Sequence, residues 1–146
     1  AASATNRSLT SLVFPPSGFT NIDQGGFRNL GLRSVEIPAS VTMVGQAAFE
    51  NNPLVSVYVH GGMGGSSTYL SQGVFNNQDA SFGLSSSVAL TLGQGKIDLG
   101  HNFGSSTRFS TVDFGSGLFS IDETAFKQNG VAPGWVPIFP STIKEL

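Results

Sequence analysis

LRSVEIPASVTMVGQAAFENNPLVSVYV, residues 32–59, holds one complete structural unit and the start of the next. Leu32, Val35 and Ile37 form an apolar triplet with spacing three then two, and Leu54, Val57 and Val59 repeat it 22 residues later. Between the triplets lie Pro38, a small polar turn, Val44-Gly45 and Ala48-Phe49. This order reads as a short strand, a corner, a turn carrying one large aromatic residue, and a second strand. One such unit cannot bury both faces, so it needs copies of itself above and below.

The copies are present. Leu9, Leu12 and Phe14 precede the unit; the degenerate set Ser87, Leu90, Leu92 (with Val88 beside it) and then Phe109, Val112, Phe114 follow it. The middle residues Leu12, Val35, Val57, Leu90 and Val112 are 23, 22, 33 and 22 residues apart. A second set of positions keeps the same period: Phe27, Phe49, Phe75, Phe103 and Phe126. Four of these have an aliphatic residue five positions earlier, namely Ile22, Val44, Leu70 and Ile121; Phe103 departs, with Ile97 and Leu99 six and four residues before it. Two interleaved patterns with one period of 22 or 23 predict a solenoid within the range of leucine-rich repeats.

Composition narrows the function. At 146 residues the chain is one domain with room for a real core. Charged residues make up 11%, the net charge is -2 and the pI about 5.5. No basic stripe exists, which argues against nucleic acid as a partner, and an acidic chain gains little from anionic membrane surfaces. No apolar run has the length of a membrane span, so membrane insertion is not expected. The absence of cysteine removes disulfides, thiolate metal sites and thiol catalysis. Asn6-Arg7-Ser8 is an N-glycosylation sequon, which makes Asn6 a candidate site of modification, although such tripeptides also arise by chance.

On the residues quoted, the chain resembles the BspA-like, or Treponema pallidum-type, leucine-rich repeats, which read roughly Leu-x-x-Val-x-Ile-Pro followed by an Ile-Gly-x-x-Ala-Phe turn. The match is close over 32–59, fair over 9–27 and 109–126, and poor over 61–102. The family usually has a cysteine shortly after the Phe; Asn51-Asn52, Asn76-Asn77 and Asn129-Gly130 stand there in this chain. Asparagine still turns the chain, since it tolerates left-handed backbone and bonds locally. The resemblance implies a right-handed coil of about five to six turns. One face is expected to be a parallel β-sheet. The other is expected to consist mostly of irregular turns carrying a column of Phe27, Phe49, Phe75, Phe103 and Phe126. It also implies a non-catalytic module for recognition or adhesion, extracellular or on a cell surface, with a host, matrix or self protein as partner.

The expected domain runs from 9 to 146 after a flexible segment at 1–8. An irregular insertion occupies about 60–87, and the last repeat, 135–146, is incomplete. The insertion reads either as an enlarged turn or as a protruding contact loop anchored by Tyr69 and Phe82. Uncapped repeat ends offer an alternative function, a structural subunit assembling head to tail into an oligomer or filament.

Chemistry is sparse. His60 directly follows a strand, and His101 has Asp98 three residues earlier on a non-helical turn, where that spacing carries no metal-ligand meaning. Gly93-Gln94-Gly95-Lys96 lacks both the four-residue gap and the Ser or Thr of a phosphate loop. Asp122-Glu123 reads as an exposed acidic corner, since adjacent carboxylates rarely converge. These residues imply no catalytic site, metal or cofactor. What remains is the outward side of the predicted sheet. One row is Ser11, Ser34, Ser56, Ala89, Thr111 and the other Val13, Glu36, Tyr58, Thr91, Asp113. Glu36, Tyr58 and Asp113 are the candidate protein contacts, against the plain alternative of a sheet kept soluble by its hydroxyls.

Overall fold

The computed structural model describes residues 10–75, 88–104, 108–125, 130–131 and 137–138. Among them are eleven strands. In chain order these are β1 Asn21–Ile22, β2 Ser34–Ile37, β3 Met43–Val44, β4 Ser56–Val59, β5 Thr68–Leu70, β6 Val88–Leu92, β7 Ile97–Leu99, β8 Arg108–Asp113, β9 Leu118–Ile121, β10 Gly130–Val131 and β11 Pro137–Ile138. Odd-numbered strands β1 to β9 form one sheet in the order β1-β3-β5-β7-β9. Even-numbered strands form the other, β10-β8-β6-β4-β2, and β11 also pairs with β8. Every ladder between these strands is parallel. The chain therefore winds from one wall to the other and back once per repeat, as a solenoid.

The triplets build the first wall as the sequence predicts. Val35 pairs with Val57, Val57 with Leu90 and Leu90 with Val112. Leu32, Ile37, Leu54, Val59, Leu90 and Val112 are fully buried. In the degenerate repeat Val88, not Ser87, supplies the first inward residue: it is fully buried and pairs with Phe109. The register slips by one between Val88 and Ala89, and Ser110 is the unpaired extra residue that lets Phe109 and Val112 both point inward.

The second wall departs from the expectation of mostly irregular turns, because it is a parallel sheet. Its rungs are two to four residues long. Each contributes a buried aliphatic at one register position: Ile22, Val44, Leu70 and Leu99, with half-buried Ile121 at the end. Leu99 thus fills the place that Leu70 and Ile121 hold, and the loop to Phe103 is one residue shorter. Rungs this short show no visible alternation in the sequence, yet parallel stacking pairs their backbones as fully as longer strands.

Between the walls runs the aromatic column. Ring centroids of Phe27 and Phe49 lie 5.6 Å apart, those of Phe49 and Phe75 5.9 Å, both stacked. Phe75 meets Phe103 edge-on at 6.0 Å. Phe103 then stacks on Phe109 of β8 at 6.1 Å, and Phe14 closes on Phe27 at 5.5 Å. Phe126 lies outside the described residues. Phe49, Phe75 and Phe103 are fully buried, each worth about 2–3 kcal/mol by area. The turns that carry them are laddered too: Phe27 N–H donates to Ala48 O at 2.8 Å and Phe49 N–H to Val74 O at 2.9 Å.

Two regions differ from the expected outline. Residues 10–16 follow β2 without joining its sheet, although Thr10 O accepts the Arg33 N–H at 3.0 Å. Pro15 and Pro16 lack the N–H groups that a further rung would need. The described part of the insertion, 60–75, is ordered around a tight corner. Gly62 and Lys96 exchange two backbone hydrogen bonds of 2.9 and 2.8 Å, and β5 follows directly as a rung of the second sheet.

Candidate partner-binding face

Parallel register at 22-residue steps places equivalent outward residues side by side. Glu36 pairs with Tyr58, Tyr58 with Thr91 and Thr91 with Asp113. Ser34 pairs with Ser56, Ser56 with Ala89 and Ala89 with Thr111. Strand alternation forces this arrangement, since the buried triplet residues leave every second side chain outside. The result is a shallow groove of about 450 Å³ whose floor includes Ser34, Ser56, Ala89, Tyr58 and Thr91.

The ends of the charged row are built differently from its middle. Glu36 Oε1 lies 2.6 Å from His60 Nε2, and both side chains remain largely exposed. The His60 ring meets the Tyr58 ring edge-on at 4.7 Å. His60 is the residue that the sequence reading left as a plain surface group. The signal was there: with 36 opposite 58, residue 60 falls on the same face as Glu36, one rung over and two residues on. Tyr58 is 38% exposed. Its hydroxyl reaches over Gly93, where any β-carbon would meet both that oxygen and the His60 carbonyl. At the far end, Asp113 Oδ1 accepts the Gly115 N–H at 2.9 Å, which fixes the carboxylate against its own strand.

Beside this row Leu12, Phe14, Pro16, Pro38 and Ala39 surround an apolar cup of about 330 Å³, with Glu36 and His60 on its rim. Val13 stands at its edge with 91% of its surface exposed.

The other predicted contacts fall elsewhere. Tyr69 is not on a protruding loop. It sits in the outward row of the second sheet, between Met43 and Asp98, and its phenol lies over Gly100. That row, Asn21, Met43, Tyr69, Asp98, Ser120, was hidden in the sequence because its rungs are so short. Phe82 and Asn6 lie outside the described residues.

No group of three or more potential metal ligands exists among the described residues. One cluster resembles a nucleophile with its base: Thr124 Oγ1 is 2.8 Å from His101 Nδ1, and Asp122 is nearby. Its connectivity is wrong for catalysis. Asp122 Oδ1 accepts from the Thr124 hydroxyl at 2.6 Å and its N–H at 2.9 Å, so the carboxylate closes a turn and does not orient the histidine. His101 Nε2 instead faces the Asn102 amide at 3.0 Å. The two Thr124 hydrogen bonds hold the Asp122 carboxyl below the usual carboxylate range, and His101 adds a smaller pull in the same direction.

Two stacked parallel sheets, one 22-residue period and an internal Phe column define a leucine-rich-repeat solenoid. The model of the BspA type leucine-rich repeat region matches residues 3–132 as six copies, and the chain belongs to that family. No curated protein and no solved structure matches it. Repeat regions of this kind generally mediate protein interaction and are generally not enzymes. No helix among the described residues is long and apolar enough to cross a membrane.

Proposed function

We propose that this chain is a non-catalytic recognition module, extracellular or at a cell surface, that adheres to a host, matrix or self protein through the outward face of β2, β4, β6 and β8. The observation that carries this reading is the register-matched row Glu36, Tyr58, Thr91, Asp113 over a groove floored by small side chains. Small residues let a partner backbone approach, while Tyr58 offers the kind of half-exposed aromatic group that anchors interfaces. The location rests on the typical surface association of the family and on the low charge. Glycosylation at Asn6 belongs to the same reading.

Capture of extracellular proteins on the immobilised chain tests it. Replacing both Tyr58 and Glu36 by Ala is expected to abolish capture while far-ultraviolet circular dichroism stays unchanged. Capture that survives the double replacement excludes this face.

One observation favours a second reading, head-to-tail assembly into a filament. Among the described residues, β1 and β2 each pair with a strand on one side only. An open parallel edge is a template for another chain, and 11% charged residues supply little repulsion. Electron microscopy at high protein concentration decides it: filaments support assembly, and uniform monomers exclude it.

A further inference from the structure

The outward rows are one-signed. Among the described residues, the two rows on β2, β4, β6 and β8 carry two carboxylates, Glu36 and Asp113, and neither Lys nor Arg. The nearest basic residue in sequence, Arg33, precedes Ser34 at the opposite end of the strand from Glu36. Between the carboxylates lie the Tyr58 ring and the Thr91 hydroxyl. An aromatic face next to a carboxylate attracts a guanidinium or ammonium group twice, through its quadrupole and through charge.

We infer that the segment recognised by this face is an extended, cationic stretch of a partner protein that crosses the strands. This inference rests on the reading of the face as the binding surface. Geometry sets the spacing. Glu36 and Asp113 are three rungs apart, about 14 Å at ~4.8 Å per rung. In an extended peptide, residues i and i+4 point to the same side about 13–14 Å apart. Two basic residues at that spacing reach both carboxylates, with a small residue at i+2 lying over Tyr58 and Thr91. An apolar residue at i-2 reaches the cup bounded by Phe14, Pro16 and Pro38. Glu36 gives one oxygen to His60, but its side chain is still 67% exposed and open to a second donor. Asp113 is already oriented by Gly115, so it loses little freedom on binding. A second copy of this chain is a poorer occupant, because its own net charge is -2.

The test uses a labelled octapeptide, acetyl-Leu-Ser-Arg-Ser-Thr-Ser-Arg-Ser-amide, and two analogues with both arginines replaced by Gln or by Glu, read by fluorescence anisotropy against the full chain. At low salt the Arg peptide is expected to bind about fivefold to twentyfold more tightly than the Gln peptide, as two exposed ion pairs supply. Raising the salt to about 0.5 M should erase most of that difference. Glu36→Gln and Asp113→Asn, which keep side-chain shape, should each weaken the Arg peptide about twofold to fivefold. Ser56→Trp, which fills the floor of the groove, should abolish binding. If the Gln or Glu peptide binds as tightly as the Arg peptide and Ser56→Trp removes it, the cationic specificity is overturned while the face itself stands. Arg-peptide binding that ignores all three substitutions, or no binding by any peptide, overturns the inference; the capture experiment above then judges the face independently.

Discussion

Asn52 Oδ1 accepts the backbone N–H of Leu32 at 3.1 Å and of Leu30 at 3.0 Å, while Asn52 Nδ2 donates to Phe27 O and Phe49 O, both at 2.9 Å. The side chain is fully buried. One amide thus ties the return turn of one repeat to that of the preceding repeat. Cysteine, usual near this place in the family, could not satisfy so many backbone groups at once.

Asn52→Ala is therefore expected to cost at least about 2 kcal/mol, since it strands two buried donors. Asn52→Leu keeps the volume and should cost as much, because no hydrogen bonds return. Urea denaturation of the two variants checks this; a loss under about 0.5 kcal/mol in both would show that water replaces the amide.

The Phe column makes a separate demand on packing. Phe49 contacts Phe27 on one side and Phe75 on the other at 5.6 and 5.9 Å. Phe49→Ala should cost about 3–5 kcal/mol, and Phe49→Leu clearly less, since it leaves a smaller void. Thermal midpoints of the two variants should fall in that order, and an unchanged midpoint for the alanine variant contradicts a packed column.

How far the sequence carries this molecule depends on repetition. Val35, Val57, Leu90 and Val112 recur at steps that parallel strands must follow, so the first wall and its outward rows were legible in advance. Ile22, Val44 and Leu70 were visible only as companions of the Phe residues. A rung of two or three residues has no period to detect, so the second sheet, and with it the true place of Tyr69, was missed. The Glu36–His60 contact was missed for a different reason. It is diagonal across two strands, and only the exact register brings residues 24 apart to within 2.6 Å. Asn52 was seen as a turn former, whereas the left-handed residue is its neighbour Asn51, with φ of 57°, and Asn52 does the bonding.

The corner at Gly62 depends on backbones in contact. A β-carbon on Gly95 would collide with the carbonyls of Gly61 and Gly62. Gly95→Ala should cost about 1–3 kcal/mol, as overpacking does, and should speed amide exchange at Gly62 and Lys96, whose mutual hydrogen bonds it disrupts. Equal exchange rates in the variant and the parent would mean that the corner can open without loss.

Asp122 gives a pH prediction. Its carboxyl is held below the ordinary value chiefly by the Thr124 hydroxyl and then by the Thr124 N–H. A depressed carboxylate adds stability that is present above its unfolded pKa, near 4, and is lost as pH falls through the folded value. Thr124→Val removes the hydroxyl alone, so Asp122 should titrate higher, though still short of a free carboxylate. Carboxyl-carbon NMR titration reads this directly; an unmoved Asp122 would place the cause elsewhere.

The central claim is that a 22-residue register sets Glu36, Tyr58, Thr91 and Asp113 in one row, rung beside rung. The chain has no cysteine, so introduced pairs can be read without background. Neighbouring rungs bring α-carbons to about 4.8 Å, within disulfide reach, while two rungs exceed it at about 9.6 Å. The decisive measurement is the free-thiol titre, after mild oxidation, of Glu36→Cys with Tyr58→Cys, Tyr58→Cys with Thr91→Cys, and Glu36→Cys with Thr91→Cys. The account predicts that the first two pairs close and the third keeps both thiols. Closure of the third pair, or free thiols in the first two, would contradict it.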